Sequence, residues 1–320
     1  MGKIIAALAA LLLLVGGSAQ AQTFPNRPVT IIVPYPPGGL IDLVARMLQP
    51  FLQTELGVSV VAENHSGAGG NVGAEMVARA QPDGYTLLLA NPSLAISPTL
   101  YKKLNYRPIE DFAYVGRYGS VGNVMVVNNN VPAKTAQELI AYAKAHPGKL
   151  NYGSPGYGTS PQLSGELFKT MSDTFIVHIP FRGGGPAGAA LLGGEIEVQF
   201  DNIPPQVGNI KAGKVRALAV TSLKRNSAIP DIPTLDEVGL KGYEVVSWFG
   251  LAARAGTPPE NIQRLNTALN NATKNPKLRD ALESRGADVV QGSPEDFTSF
   301  VKNEIAKFAP VIKRTGVTVE

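Results

Sequence analysis

One join recurs along this chain and limits what it can fold into. A short β-rich run ends in a proline/glycine loop, and the loop feeds the start of an amphipathic segment. Val29–Val33 runs into Pro34-Tyr35-Pro36-Pro37-Gly38-Gly39. Beyond it, Val44, Met47, Leu48, Phe51 and Leu52 fall on one face of a helix expected over about Leu40–Leu56. A strand at residues 58–62 precedes Gly67-Ala68-Gly69-Gly70 and a helix reaching Ala80, and Pro82-Asp83-Gly84 turns into a strand at Thr86–Ala90. In the second half, a helix at Ala136–Ala145 and a strand at residues 150–153 lead to the loop 154–160 and another amphipathic helix. Strands at residues 175–180, 196–200, 217–220 and 244–252 follow, and helices fill most of the chain after Pro258-Pro259. Such alternation predicts α/β layers. Val124 to Val127 begins a second lobe, and residues 116–122 and 246–250 are where the chain would cross between lobes. The expected division is residues 22–120 with 250–320 in one lobe and 121–249 in the other.

These loops explain an excess of backbone-shaping residues, 34 Gly and 25 Pro in 320. Apolar runs of strand and helix length separate them, so they do not indicate disorder. There is no Cys, which excludes disulfides, thiolate metal sites and a cysteine nucleophile. His65, His146 and His178 stand far apart, and no His/Asp/Glu spacing suggests a metal, so no cofactor is expected. A net charge of +4 is too small and dispersed for nucleic acid, which calls for a concentrated basic face. It is compatible with a small anion. The first residues read as a secretory signal: Lys3, an apolar run at 4–15, and Ala19-Gln20-Ala21, with cleavage after Ala21. The run is short for a membrane span. The exported chain is expected to begin at Gln22.

Two loops have the makings of an anion site. In Pro37-Gly38-Gly39, proline fixes the backbone and glycine lets N–H groups approach a ligand. The helix N-terminus behind it offers unpaired N–H groups and the positive end of a dipole. Asp42 would cap that turn and pin the loop; an ordinary capped turn is the alternative. The second loop brings hydroxyls at Ser154, Thr159 and Ser160 and flexible backbone at Gly156 and Gly158, with Ser160 as N-cap and Pro161 at the first helical position. One such loop per lobe favours a ligand held between lobes. Asn91, Ser93 and Asp201 follow strand ends and could face the same cleft, or form plain turns. Trp248, the only Trp, packs in the core or lines the cleft. With Tyr35, Tyr157 and Phe249 it leaves an aromatic acid open beside an aliphatic dicarboxylate.

Other motifs fail on context. Gly183-Gly184-Gly185-Pro186-Ala187-Gly188 fits G-x-G-x-x-G, but Pro186 interrupts it and no acidic residue sits about 20 positions on. Gly208 to Lys214 resembles a P-loop, but Val215 stands where Ser or Thr would reach Mg²⁺. No G-x-S-x-G occurs. Ser154, His178 and Asp201 are the residue types of a triad, without evidence of its geometry.

Taken in order, several segments resemble the Bug-type substrate-binding proteins of tripartite tricarboxylate transporters. They are residues 32–39 with Asp42, Ala45 and Arg46; 67–71; Pro82-Asp83-Gly84-Tyr85; Gly156-Tyr157-Gly158-Thr159-Ser160; His178-Ile179-Pro180-Phe181-Arg182-Gly183; Leu191-Leu192-Gly193-Gly194; Phe200-Asp201-Asn202; 216–221; and Gly256-Thr257-Pro258. The resemblance spans nearly the whole exported chain. It implies an α/β, two-lobed periplasmic binding protein (type II-like), each lobe a sheet flanked by helices, with a hinge between. It also implies a small carboxylate ligand, a two-subunit membrane permease as partner, and a monomer in the periplasm. In such proteins the two loops grip a carboxylate, which places Pro37, Gly38, Gly39 and Asp42 on one side and Ser154, Gly156, Thr159 and Ser160 on the other. Gln162 departs from a position often His, and Ala190 from one often polar. The expected role is a receptor and not an enzyme. An exported hydrolase using Ser154 or Asp201, and a ligand-sensing partner of a membrane kinase, are the alternatives.

Overall fold

The computed structural model describes residues 23–320, so the signal segment and its cleavage after Ala21 lie outside the described residues. The strands are β1 (Val29–Val33), β2 (Val60–Asn64), β3 (Thr86–Ala90), β4 (Phe112–Val127), β5 (Asn151–Ser154), β6 (Val177–Pro180), β7 (Val198–Asn202), β8 (Arg216–Val220), β9 (Val246–Arg254) and β10 (Asp288–Val289). The helices are α1 (Leu40–Leu56), α2 (Asn71–Ala78), α3 (Ser93–Leu100), α4 (Ala136–Ala145), α5 (Ser160–Ser172), α6 (Gly184–Gly193), α7 (Ile203–Lys211), α8 (Pro259–Lys274), α9 (Pro276–Glu283) and α10 (Pro294–Thr315).

Strand order is β2-β1-β3-β9-β4-β7-β5-β6, with β8 and β10 also pairing with β4. Parallel pairs β1/β2 and β1/β3 lie at one end, and parallel pairs β5/β6 and β5/β7 at the other. Antiparallel β4 and β9 join them. From Phe112 to Gly122, β4 pairs with β9; from Asn123 it pairs with β7 and β8 instead. That exchange of partners falls at the end of the crossing segment expected at residues 116–122. The whole of β4 is one strand, however, and not only the Val124 to Val127 run legible in the sequence.

Successive strand residues point to opposite faces, and helices cover both. Leu88 and Ala90 of β3 therefore join one apolar layer while Leu87 and Leu89 join the other. On β9 the same alternation sends Trp248 towards Phe297 of α10 and Phe249 towards the layer that holds α8 and α1 residues. Glycine makes room for this. A Cβ on Gly119 or Gly250 would collide with the Phe249 or Phe297 ring.

Helix boundaries follow local chemistry. Gly57, left-handed at φ 74°, ends α1. Thr135 caps α4 by accepting from Glu138 N, and Ser293 with Asp296 forms a capping box on α10. Among the described residues, no helix is long and apolar enough to cross a membrane.

Candidate ligand-binding site

A cavity of about 480 Å³, its solvent-open mouth included, lies between the two ends of the sheet. The first residues or caps of five helices line it: Gly39, Leu40 and Ile41 of α1, Pro92 of α3, Thr159, Ser160 and Pro161 of α5, Gly183 and Gly184 of α6, and Asn202 of α7. A helix start carries partial positive charge and offers N–H groups to a ligand, as α1, α5 and α6 do; in α3 Ser93 N and Leu94 N already donate to Asn91, and in α7 Pro204 and Pro205 have no N–H. No Lys or Arg is among the lining residues. The join repeated in the sequence has thus been gathered in space, because parallel strands feeding helices bring their C-terminal ends to one side.

Hydroxyls and amides tie the walls together. Asn202 Nδ2 donates to Ser247 Oγ (2.7 Å) and Asn123 Oδ1 (2.6 Å), and Ser247 Oγ also hydrogen-bonds Ser160 Oγ. This bridge links α5, β7, β4 and β9. Tyr35 donates from its hydroxyl to Gly69 O (2.8 Å) and Asn91 Oδ1 (3.3 Å), which fixes the Pro/Gly loop over the cavity. Burial pushes the Tyr35 hydroxyl pKa up, so it stays protonated and able to donate.

Asp201 is the ionisable acid in the wall and is 2% exposed. Asn202 N donates to its Oδ1 (2.8 Å), and Gln206 Nε2 (2.7 Å) and Gln199 Nε2 (3.2 Å) donate to its Oδ2. Burial pushes its pKa up to about 6, against the opposing bonds from Gln206 and the Asn202 N–H.

Of the residues singled out in the sequence, Tyr35, Gly39, Asn91, Thr159, Ser160 and Asp201 line the cavity. Tyr35, Gly156 and Tyr157 line a larger outer chamber, which also holds Arg182 and shares Tyr35, Pro36, Pro155 and Gly183 with the inner one. The others stand behind the wall. Pro37 and Gly38 are not in the lining, and Gly38 N donates to Asp42 Oδ2 (3.1 Å). Asp42 also accepts from Arg46 Nε (2.9 Å) and Asn64 Nδ2 (2.9 Å), so it pins the loop and does not face a ligand. Burial raises the Asp42 pKa, but the bonds from Asn64, Arg46 and Gly38 N outweigh it and hold it below the ordinary value. Ser93 donates its N–H to Asn91 Oδ1 behind the lining. The cap of α5 is Thr159, one residue before the expected Ser160, and it accepts from Gln162 N.

Two expectations need correction. Trp248 is fully buried, edge-on to Phe297 and Phe300, and donates from Nε1 to Glu304 Oε2 (3.1 Å). Phe249 is buried against Tyr118 on the other face. Neither lines the cleft, because helices cover both faces of β9 there. Ser154 is buried too; its Oγ bonds His178 Nε2 (2.7 Å) and the Gly156 N–H. Burial, with the Lys169 charge, lowers the His178 pKa to about 4. Asp201 bonds to the two glutamines and Asn202 and not to His178, so Ser154, His178 and Asp201 form no triad.

Gly183, Gly184 and Ser247 also line the cavity without having been singled out in the sequence, as do Pro36 and Asn202, which adjoin the candidate loop and Asp201. Gly183 and Gly184 carried the same strand–loop–helix signal as the other walls, inside the rejected G-x-G-x-x-G. The P-loop-like Lys214 follows the C-terminal end of α7, where carbonyls and not N–H groups are unpaired. Among the described residues, no three His, Asp or Glu side chains are placed to share a metal ion.

The fold and site define a two-lobed α/β periplasmic binding protein. Residues 44–317 match the model of the tripartite tricarboxylate transporter family receptor, and the chain belongs to that family. BugT of Bordetella pertussis is 36% identical over 308 residues, covering 96% of this chain and 94% of BugT. The solved structure of Rpa4515 from R. palustris with adipate is 36% identical, with a TM-score of 0.89 over 92% of this chain and 99% of that one. MatC (Rpa3494) from Rhodopseudomonas palustris with bound malate is 33% identical, with a TM-score of 0.86 over 90% and 100%. The chain is therefore a periplasmic solute-binding protein of this family.

Proposed function

We propose that the protein captures a small carboxylate in the inner cavity and delivers it to a two-subunit membrane permease. The observation that carries this reading is the meeting of helix N-termini, with those of α1, α5 and α6 offering N–H groups, in a cavity wall without Lys or Arg. Neutral donors can hold a carboxylate because several charge-assisted hydrogen bonds offset its desolvation. Gly39, Thr159, Ser160 and Gly184 supply the grip, Asn202 ties the wall behind them through Ser247 and Asn123, and Tyr35 and Asn91 position the loop. Adipate and malate in the two solved relatives support the ligand class.

Residues 22–120 with 250–320 form one lobe and 121–249 the other, with the turning point where β4 changes partners. Closure buries the ligand, and a permease that reads the closed surface discriminates loaded from empty receptor. The mechanism requires tighter binding to the closed state. The hydrolase alternative would need a carboxylate to orient His178, and Asp201 is engaged elsewhere.

Thermal-shift screening against aliphatic and aromatic carboxylates tests the reading. An acid at 100 times its Kd stabilises the fold by about 2.7 kcal/mol. No shift with any carboxylate would overturn it.

A further inference from the structure

Asp201 is an unexpected residue to find in an anion site. It is a carboxyl, nearly fully buried, in the wall of a cavity with no Lys or Arg to neutralise it. Its hydrogen-bond partners are neutral: the Asn202 N–H, Gln206 and Gln199. Burying an ion without a counter-ion is costly. An asparagine would fill the same space without that cost. A carboxylate offers about four lone-pair directions, and three N–H groups meet it from the protein side. The cavity lies on its remaining side, with Gly184 close by; a Cβ on Gly184 would stand 3.3 Å from Asp201 Oδ1.

The wall is therefore of two kinds. Helix starts and hydroxyls offer donors, and Asp201 offers only acceptors. A ligand that presents one carboxylate to the helix starts and a second bare carboxylate to Asp201 sets like charges against each other. A ligand that presents a hydroxyl or ammonium to Asp201 meets an acceptor already fixed by the two glutamines.

We infer that Asp201 selects, among small carboxylic acids, those that also carry a hydrogen-bond donor: hydroxy acids or amino acids over their unsubstituted counterparts. The inference rests on the carboxylate-receptor reading above and names the subclass of its ligand. A buried acceptor left facing an apolar C–H rejects the unsubstituted acid, because its partner is missing in the complex.

Isothermal titration of the protein lacking residues 1–21 tests it with matched acids on three skeletons. These are succinate, malate and aspartate; glutarate, 2-hydroxyglutarate and glutamate; benzoate and 4-hydroxybenzoate. On the skeleton that binds, the donor-bearing acid should bind at least about 10-fold tighter than the unsubstituted one. A preference for malate over aspartate assigns a hydroxyl partner, and the reverse assigns an ammonium. Asp201→Asn, isosteric and uncharged, should shrink that ratio several-fold. Equal affinity for unsubstituted and donor-bearing acids in the wild type overturns the inference and leaves the receptor reading intact. So does an unchanged ratio in Asp201→Asn. Binding of none of these or any other carboxylate overturns the receptor reading and this inference with it. The wild-type ratio decides the matter even if the variant fails to fold.

Discussion

Gly69 and the carbonyl of Tyr157 pack directly against each other across the mouth of the cavity. A Cβ at Gly69 would collide with the Tyr157 oxygen and stand 2.8 Å from the Tyr101 hydroxyl, and Gly69 itself is left-handed at φ 65°. The loop after β2 thus meets the loop before α5 at the entrance. In the closed receptor proposed here, that contact is where the lobes seal.

Gly69→Ala should therefore resist closure. The expected result is a ligand Kd raised at least about 10-fold, the equivalent of 1.4 kcal/mol. Circular dichroism should be unchanged, and small-angle scattering of the ligand-bound variant should show a more open particle than the wild type. Wild-type affinity would show that the contact is incidental to closure.

The pH dependence of stability separates Asp201 from His178. Asp201 is raised from 3.8 to about 6, so between those values the folded protein holds a proton that the unfolded chain has released. Its contribution to stability grows as pH falls through that window. His178 is lowered from 6.5 to about 4, so there the unfolded chain holds the extra proton, and stability falls on acidification. The two oppose each other in the wild type. Asp201→Asn removes only the first. It should raise Tm at pH 7.5, by up to about 3 kcal/mol in stability, with the gain vanishing by pH 4. Thermal unfolding across pH 4 to 8 checks this. A variant less stable than wild type at pH 7.5, but equal to it at pH 4, would contradict it.

Ser154→Ala removes the acceptor of the Gly156 N–H and the hydrogen-bond partner of His178 Nε2. It should destabilise the protein by about 1–3 kcal/mol and weaken ligand binding through the loop that ends at Ser160. It should not abolish an ester hydrolysis, because the account assigns none. Acid incubated with the wild type should be recovered chemically unchanged, as chromatography would show.

Trp248→Phe loses the bond to Glu304 and leaves space beside Phe297 and Phe300. About 2–3 kcal/mol of stability should be lost. Affinity should stay near the wild-type value, because the indole does not line the cavity. A large loss of affinity without a change in Tm would return Trp248 to the binding site.

Local patterns made much of the fold legible. The Leu40–Leu56 helix and the Val29–Val33 and Thr86–Ala90 strands lie where apolar spacing placed them, since one strongly periodic face or run suffices. The first part of β4 escaped notice because Gly116, Arg117, Gly119 and Ser120 interrupt its apolar pattern; β9 and the helices bury it. Trp248 was ambiguous because a strand covered on both faces hides which way each residue points. Tyr35, Gly39, Thr159 and Ser160 were visible through their loop chemistry. Ser247 gave no sign of its place in the wall, because its bridge to Asn202 joins residues 45 positions apart, and no local pattern announces such a contact.

In the proposed receptor, helix starts and not a cationic side chain hold the ligand's carboxylate. This is tested most directly by titrating the protein with the acid that stabilises it most and with the primary amide of that acid. The amide keeps the shape and loses the charge, so the account predicts binding at least about 100-fold weaker, a loss of about 2.7 kcal/mol. Equal affinity for acid and amide would contradict it.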